Sequence, residues 1–126
     1  MIDYAAAGEL LERFGTARRT FDGDNWVALF SDDAEYHVDP FGAPLVGHNA
    51  LRAWLNDAAE AQRDVEFTIE RHWVAGSTVL AAWHASWIGT ADGRRSRSAG
   101  FLTAEISADG RIDRFREWSV MAPTVD

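Results

Sequence analysis

The sequence predicts an α+β domain with three helices in its first half and a mostly antiparallel sheet in its second. Two observations carry this. Apolar residues recur at helical spacing early in the chain, and from Asp64 onward the period switches to two. Asp-Gly also occurs twice between alternating runs in the second half, the strongest short hairpin signal. The predicted order is ααβαββββ, in one domain spanning residues 1–126.

The first helix rests on Tyr4, Leu10, Leu11, Phe14, Ala17 and Phe21 at helical spacing. "DGD" at 22–24 breaks it and offers Asp24 as N-cap for a short second helix, "NWVALFSDD". "AEYHVDP" reads as a strand stopped by Pro40, which has no N–H for a ladder. "FGAPLVG" reads as loop, and "HNALRAWLNDAAEAQ" as a third helix with Leu51, Trp54, Leu55 and Ala58 on one face. Four strands follow: "VEFTIERHWV", "TVLAAWHASWIGT", "RRSRSAGFLTAEIS" and "RIDRFREWSV", joined by "AGS", "ADG" and "ADG".

Turn positions fix the strand faces. Asp109 and Gly110 as a two-residue loop set Leu102 opposite Glu117 and Ala104 opposite Phe115. Asp92 and Gly93 as the preceding loop set Ser98 opposite Trp87, Gly100 opposite Ala85 and Leu102 opposite Trp83. The two hairpins agree on one face: Trp83, Ala85, Trp87, Ser98, Gly100, Leu102, Ala104, Phe115 and Glu117. Large rings mixed with small residues suit a concave, cavity-forming face. A bulge in the first hairpin is needed to add Val65, Phe67 and Ile69. The opposite face gathers Leu80, His84, Phe101 and Trp118, enough apolar surface to predict a homodimer through it.

Composition excludes several classes of chemistry. The net charge is −8 and all twelve basic residues are Arg, so an acidic surface argues against nucleic acid as a partner. Without Cys there is no thiolate nucleophile or Cys-ligated zinc, and without Lys there is no Schiff base. "HVD" alone is weak metal spacing, so neither metal nor cofactor is expected. "MIDYAAAGELLERF" is acidic and amphipathic, unlike a signal peptide, and no apolar run reaches membrane-spanning length. The expectation is a cytoplasmic protein without membrane partners.

The element order, with "FDGDNWVALFSDDAEYHVDPFG" near the front and "RFREWSV" near the end, resembles the SnoaL-like branch of the nuclear transport factor 2-like superfamily. The resemblance covers nearly the whole chain. It implies a cone, in which three helices close a curved sheet around an apolar pocket, and dimers formed through the sheet. The superfamily includes ketosteroid isomerase, limonene epoxide hydrolase, scytalone dehydratase, polyketide cyclases and non-catalytic binding domains, so the fold does not fix the function. Asp39, before Pro40, matches the catalytic base of ketosteroid isomerases. That enzyme's oxyanion-hole tyrosine falls on Phe14 and its protonated acid on Leu102, so its mechanism does not carry over. The Asp-Arg-Asp arrangement of limonene epoxide hydrolase is also missing from the pocket-facing positions.

His37 and Asp39 are two apart, on one strand face, and the resemblance aims that face into the cone. Together with Glu117 they are the candidate catalytic groups, Asp39 as base and the others as proton relay or electrophilic support. Each has a structural alternative. Asp39 can be a turn-former before Pro40, His37 a hydrogen-bonded lining residue, and Glu117 half of a buried ion pair with Arg71 or Arg52. The candidate ligand-lining residues are Phe14, Trp54, Trp83, Trp87, Leu102 and Phe115, with Phe41 a further wall; simple core packing is their alternative. Two functions follow. One is a cofactor-independent acid–base enzyme of isomerase, cyclase or hydratase type, acting on a small apolar carbonyl or epoxide compound. The other is a non-catalytic small-molecule-binding or structural dimeric domain.

Overall fold

Helix α1, Tyr4–Thr20, starts where Asp3 accepts a hydrogen bond from the Ala6 N–H at 2.7 Å. It ends at Phe21, which turns left-handed with φ 53° and returns its N–H to the Ala17 carbonyl. The computed structural model describes residues 1–123. Helix α2 is Gly23–Ala28, and its N-cap is Asp22 rather than the expected Asp24. The Asp22 carboxylate takes the Asn25 N–H at 3.2 Å, while Asp24 pairs with Arg52 at 3.0 Å. The helix is also shorter than expected, because the chain leaves it at Leu29 and Phe30 pairs with Ile112. Strand β1 is therefore Phe30–His37. The stretch expected to be all loop contains a two-residue strand, β2, Leu45–Val46, which pairs with Glu35 and Tyr36 of β1. Helix α3 follows at Gly47–Ala61.

The remaining strands are β3 (Gln62–Ala75), β4 (Thr78–Gly89), β5 (Arg95–Ile106) and β6 (Ile112–Met121). They form one six-stranded sheet in the order β2-β1-β6-β5-β4-β3. Only β1 and β6 run parallel; the other neighbours are antiparallel. Leu102 lies opposite Glu117 and Ala104 opposite Phe115, as the Asp109-Gly110 turn predicts. The preceding hairpin differs: Gly100 faces Trp83 and Leu102 faces Ala81. Its turn is longer than two residues, with Gly89 and Arg94 closing it through a 2.9 Å hydrogen bond. The offset is two residues, an even number, so every side chain keeps its face. The first hairpin carries register breaks between Arg63 and Glu66 and between Ile69 and Arg71, with Asp64 at φ 51°.

Helix α1 packs across β3 and α3 across β1, so the helices cover one face of the curved sheet. The core is a stack of rings. Phe14 lies on Phe115 at 5.0 Å, and Phe115 on Tyr36 at 4.5 Å with planes 6° apart. Phe14, Leu102 and Phe115 are wholly buried, and Trp83, 5% exposed, stacks on Phe67. This fills the deep end of the cone. Toward the other end Trp54, Ala85, Trp87 and Glu117 are each partly exposed, which marks the mouth. On the convex face Phe101 pairs with Trp118 and lies 5.9 Å from Trp73. No helix among the described residues is long and apolar enough to cross a membrane.

Candidate functional site

Alternation along β1 decides which side chains enter the cone. Ala34 and Tyr36 are buried in the ring stack, so Glu35 and His37 face outward. This corrects the expectation that His37 and Asp39 point inward; the period of two is right, but Tyr36 takes the inner face. His37 Nε2 lies 3.2 Å from Glu35 Oε1, and this bond is the main cause lowering the Glu35 pKa. Asp39 is exposed, beyond the strand end. Its Oδ1 accepts the backbone N–H groups of Phe41 at 2.8 Å and Gly42 at 2.6 Å. That is the turn-forming geometry, and it holds the carboxylate outside the cone. Phe41, expected as a wall, is 97% exposed and turned to solvent.

Glu117 does enter the cone. It is not paired with either expected arginine: Arg52 is held by Asp24, and Arg71 lies over Trp73, 5.1 Å from its ring centre, where Trp73 packs near Phe101. Its neighbours are Tyr36, whose hydroxyl donates to Glu117 Oε1 at a long 3.5 Å, and Arg18. Burial pushes the Glu117 carboxyl up to about 7, against the Arg18 charge and the Tyr36 hydrogen bond, which both pull it down. Burial and the Glu117 charge likewise raise the Tyr36 hydroxyl well above its ordinary value, with Arg18 opposing. The Arg18 guanidinium lies 4.6 Å from the centre of the Trp54 ring and 6.0 Å from that of Trp26. Trp54 in turn stacks on Trp26 at 5.8 Å.

His37, Asp39 and Glu117 still meet in one place. They line a recess of about 210 Å³ at the sheet end, together with Pro40, Arg116 and Trp118. Glu117 thus looks inward to Tyr36 and Arg18 and also borders the recess. Among the described residues no hydrogen bond joins it to His37 or Asp39. Tyr36 and Arg18 are the site residues that sequence reasoning missed. Arg18 falls on the buried stripe of α1, one turn past Phe14 and next to Ala17; a charge in an apolar stripe is the signal for it.

No group of three His, Asp or Glu side chains among the described residues is placed to hold a metal ion. Two of the other histidines have structural partners. His48 bonds the Phe30 carbonyl at 2.9 Å, and His72 stacks on Tyr4 at 4.0 Å.

Solved structures with the same fold bear on this geometry. SalBIII, an epoxide hydrolase/cyclase-like enzyme of pyran ring formation in the polyether salinomycin, superposes with a TM-score of 0.84 at 19% identity, covering 95% of each chain. The Δ5-3-ketosteroid isomerase of a Mycobacterium species gives 0.78 at 16% identity, over 93% of this chain and 98% of that one. Rv0760c of Mycobacterium tuberculosis, in complex with estradiol-17β-hemisuccinate, gives 0.78 at 19% identity, over 90% and 92%. No protein of curated function matches the sequence. The model of the SnoaL-like domain matches residues 11–115, from α1 to the inward-facing Phe115 of β6. With that match over most of the chain, and a fold shared with ketosteroid isomerase-like proteins, the chain belongs to the SnoaL-like domain family.

Proposed function

We propose that the protein is a cofactor-independent acid–base catalyst of the isomerase, cyclase or hydrolase type, acting on a small apolar carbonyl or epoxide compound. The observation that carries this is Glu117: a carboxyl at the mouth of an apolar cone, with its pKa raised to about 7 and hydrogen-bonded to Tyr36. Such a group is half ionised at neutral pH, where it both accepts and returns a proton. The half-buried Trp54 and Trp87 wall the mouth, and Trp83, Leu102, Phe115 and Phe14 form the floor beneath. His37 and Asp39 belong to the rim, where they border the recess beside Glu117. The protein works as a homodimer joined through the convex face of Phe101 and Trp118. Similarity to an epoxide hydrolase/cyclase-like enzyme and to a ketosteroid isomerase supports the reaction class.

The test is exchange of the α-protons of 2-tetralone, a model ketone, in deuterated buffer, followed by proton NMR. The wild-type protein should accelerate exchange, and Glu117→Gln should lose about a hundredfold of that rate or more. Asp39→Asn should keep most of it, since the Asp39 carboxylate is committed to the Phe41 and Gly42 N–H groups. Equal rates for wild type and Glu117→Gln would remove Glu117 as the proton-transfer group. Binding without exchange would favour the second reading, a non-catalytic binding domain. That reading draws support from the Phe14, Phe115 and Tyr36 stack, which fills the deep end.

A further inference from the structure

A groove of about 880 Å³ lies outside the cone, along the outer side of α1. It shares no residue with the recess beside Glu117. Its α1 wall recurs at helical spacing, from Asp3 and Ala6 through Leu10 and Arg13 to Ala17 and Thr20. The groove therefore runs the length of the helix, roughly 25 Å for 17 residues. The facing wall is the end of α2, Ser77 and the turn at 106–110. Its small side chains, Ala28, Ser77 and Ala108, let a ligand come close. Leu10, Ala17, Leu29 and Ile106 make a narrow apolar floor.

Charge marks the rim. Asp3, Glu9 and Glu12 stand on the α1 wall, and Asp22 and Asp109 on the other. Set against them are Arg13 and the amino terminus at Met1. Asp3 and Asp22 cap helices, and Asp109 pairs with Arg111 at 2.9 Å. The carboxylates of Glu9 and Glu12 have no hydrogen bond or ion pair among the described residues. The facing wall is also built in advance. The Ile106 N–H donates to the Ser77 carbonyl at 2.8 Å, Ser107 to the Arg111 carbonyl at 2.8 Å, and Gly110 to the Ser107 carbonyl at 3.0 Å. Those amides are spent, as are the amides within α1 and α2. An extended ligand finds no sheet edge here, whereas a helix satisfies its own backbone.

We infer that this groove docks a short basic amphipathic helix of a partner protein. The helix lays a small apolar face on Leu10, Ala17, Leu29 and Ile106, and its Lys or Arg side chains meet Glu9, Glu12 and the rim aspartates. Charge complementarity fixes the choice of occupant. Carboxylates on both walls repel an anionic segment, and the net charge of −8 disfavours a second copy of this chain. The docking stands apart from the acid–base reading, because Ala7, Leu11 and Phe14 are the α1 residues packed in the core, and none of them lines the groove.

The test uses a fluorescein-labelled peptide of two Lys-Leu-Ala-Lys-Leu-Ala-Lys repeats, a basic amphipathic helix, followed by fluorescence anisotropy. One comparison peptide has the same composition in an order without an apolar face, and another has Glu in place of Lys. The wild type should bind the first at micromolar concentration and the other two at least about tenfold more weakly. The double variant Glu9→Lys, Glu12→Lys should lose about tenfold or more in affinity. The double variant Asp57→Lys, Glu60→Lys makes the same charge change at the same spacing on α3, and should stay within about twofold of wild type. Ala28→Trp, which fills the groove without altering its charge, should also weaken binding. In proton–nitrogen correlation spectra the peptide should shift the amides of α1 and of the turn at 106–110, and leave those of Trp54, Trp87, Phe101 and Trp118 in place. No binding, equal binding of the peptide without an apolar face, equal losses in the two charge variants, or shifts confined to the mouth or the convex face would each overturn the docking site. If Glu9→Lys, Glu12→Lys does not fold by circular dichroism, Ala28→Trp and the spectra decide. Peptide binding does not depend on 2-tetralone exchange, so the two readings fail separately.

Discussion

Glu117 behaves as it does because of where β6 puts it. Its carboxyl titrates from an ordinary value of 4.5 in the open chain and about 7 in the folded protein. Between those values the folded state holds more protons than the unfolded one, so stability falls as the pH rises through the window and levels off above about 7. The span corresponds to at most about 3 kcal/mol, reduced by the water that reaches the mouth. Urea denaturation should therefore show Glu117→Gln with a flatter stability profile between about pH 5 and pH 8, and more stable than wild type at the upper end. Parallel profiles would place the carboxyl in water. Glu117 is legible in the sequence because turn arithmetic sets it opposite Leu102. Arg18 is harder to see, since an arginine near a helix C-terminus usually serves the helix dipole in solvent. Only the approach of Trp54 from α3 shows that it is enclosed.

At the level of elements, hairpin offsets matter by their parity. The β4–β5 pairing lies two residues from the Asp92-Gly93 expectation, and no residue changes face. On β1 the alternation is equally regular, but nothing local says which of its two faces is inner. The packing of Tyr36 on Phe115 decides it. Gly100 shows what the meander requires of one position. A β-carbon there would run into the Trp118 carbonyl oxygen and lie 2.8 Å from the Trp83 ring. The first obstacle is backbone, which cannot swing away like a long side chain. Gly100→Ala should lower stability by about 3 kcal/mol as β5 and β6 are forced apart. A melting temperature within a degree or two of wild type would contradict this crowding.

The whole molecule presents two apolar surfaces, one enclosed by helices and one open. On the open convex face Trp73 is 38% and Trp118 39% exposed, with Phe101 between them. A contiguous aromatic patch of this kind is uncommon on a free monomer. Analytical ultracentrifugation at micromolar concentration should find a dimer, and Trp118→Arg should shift it to monomer with the circular dichroism spectrum unchanged. A wild-type monomer would leave the face free for another partner.

Period and turn chemistry are local, so the sequence by itself determined the order of the three helices and five longer strands, the parity of the hairpin strands and the presence of Glu117 on the concave wall, but not the short β2. The resemblance to ketosteroid isomerases, not period or turn chemistry, implied that the familiar donors of that enzyme are replaced at Phe14 and Leu102. The tertiary structure decided what no local rule contains. Burial against Trp26 and Phe115 chose the inner face of β1, turned His37 outward and left Asp39 to its turn. The approach of α1 and α3 enclosed Arg18 beside Tyr36 and Glu117. The physical reason is range. A hydrogen-bonded turn is fixed within a few residues, whereas desolvation depends on every element that closes around a group.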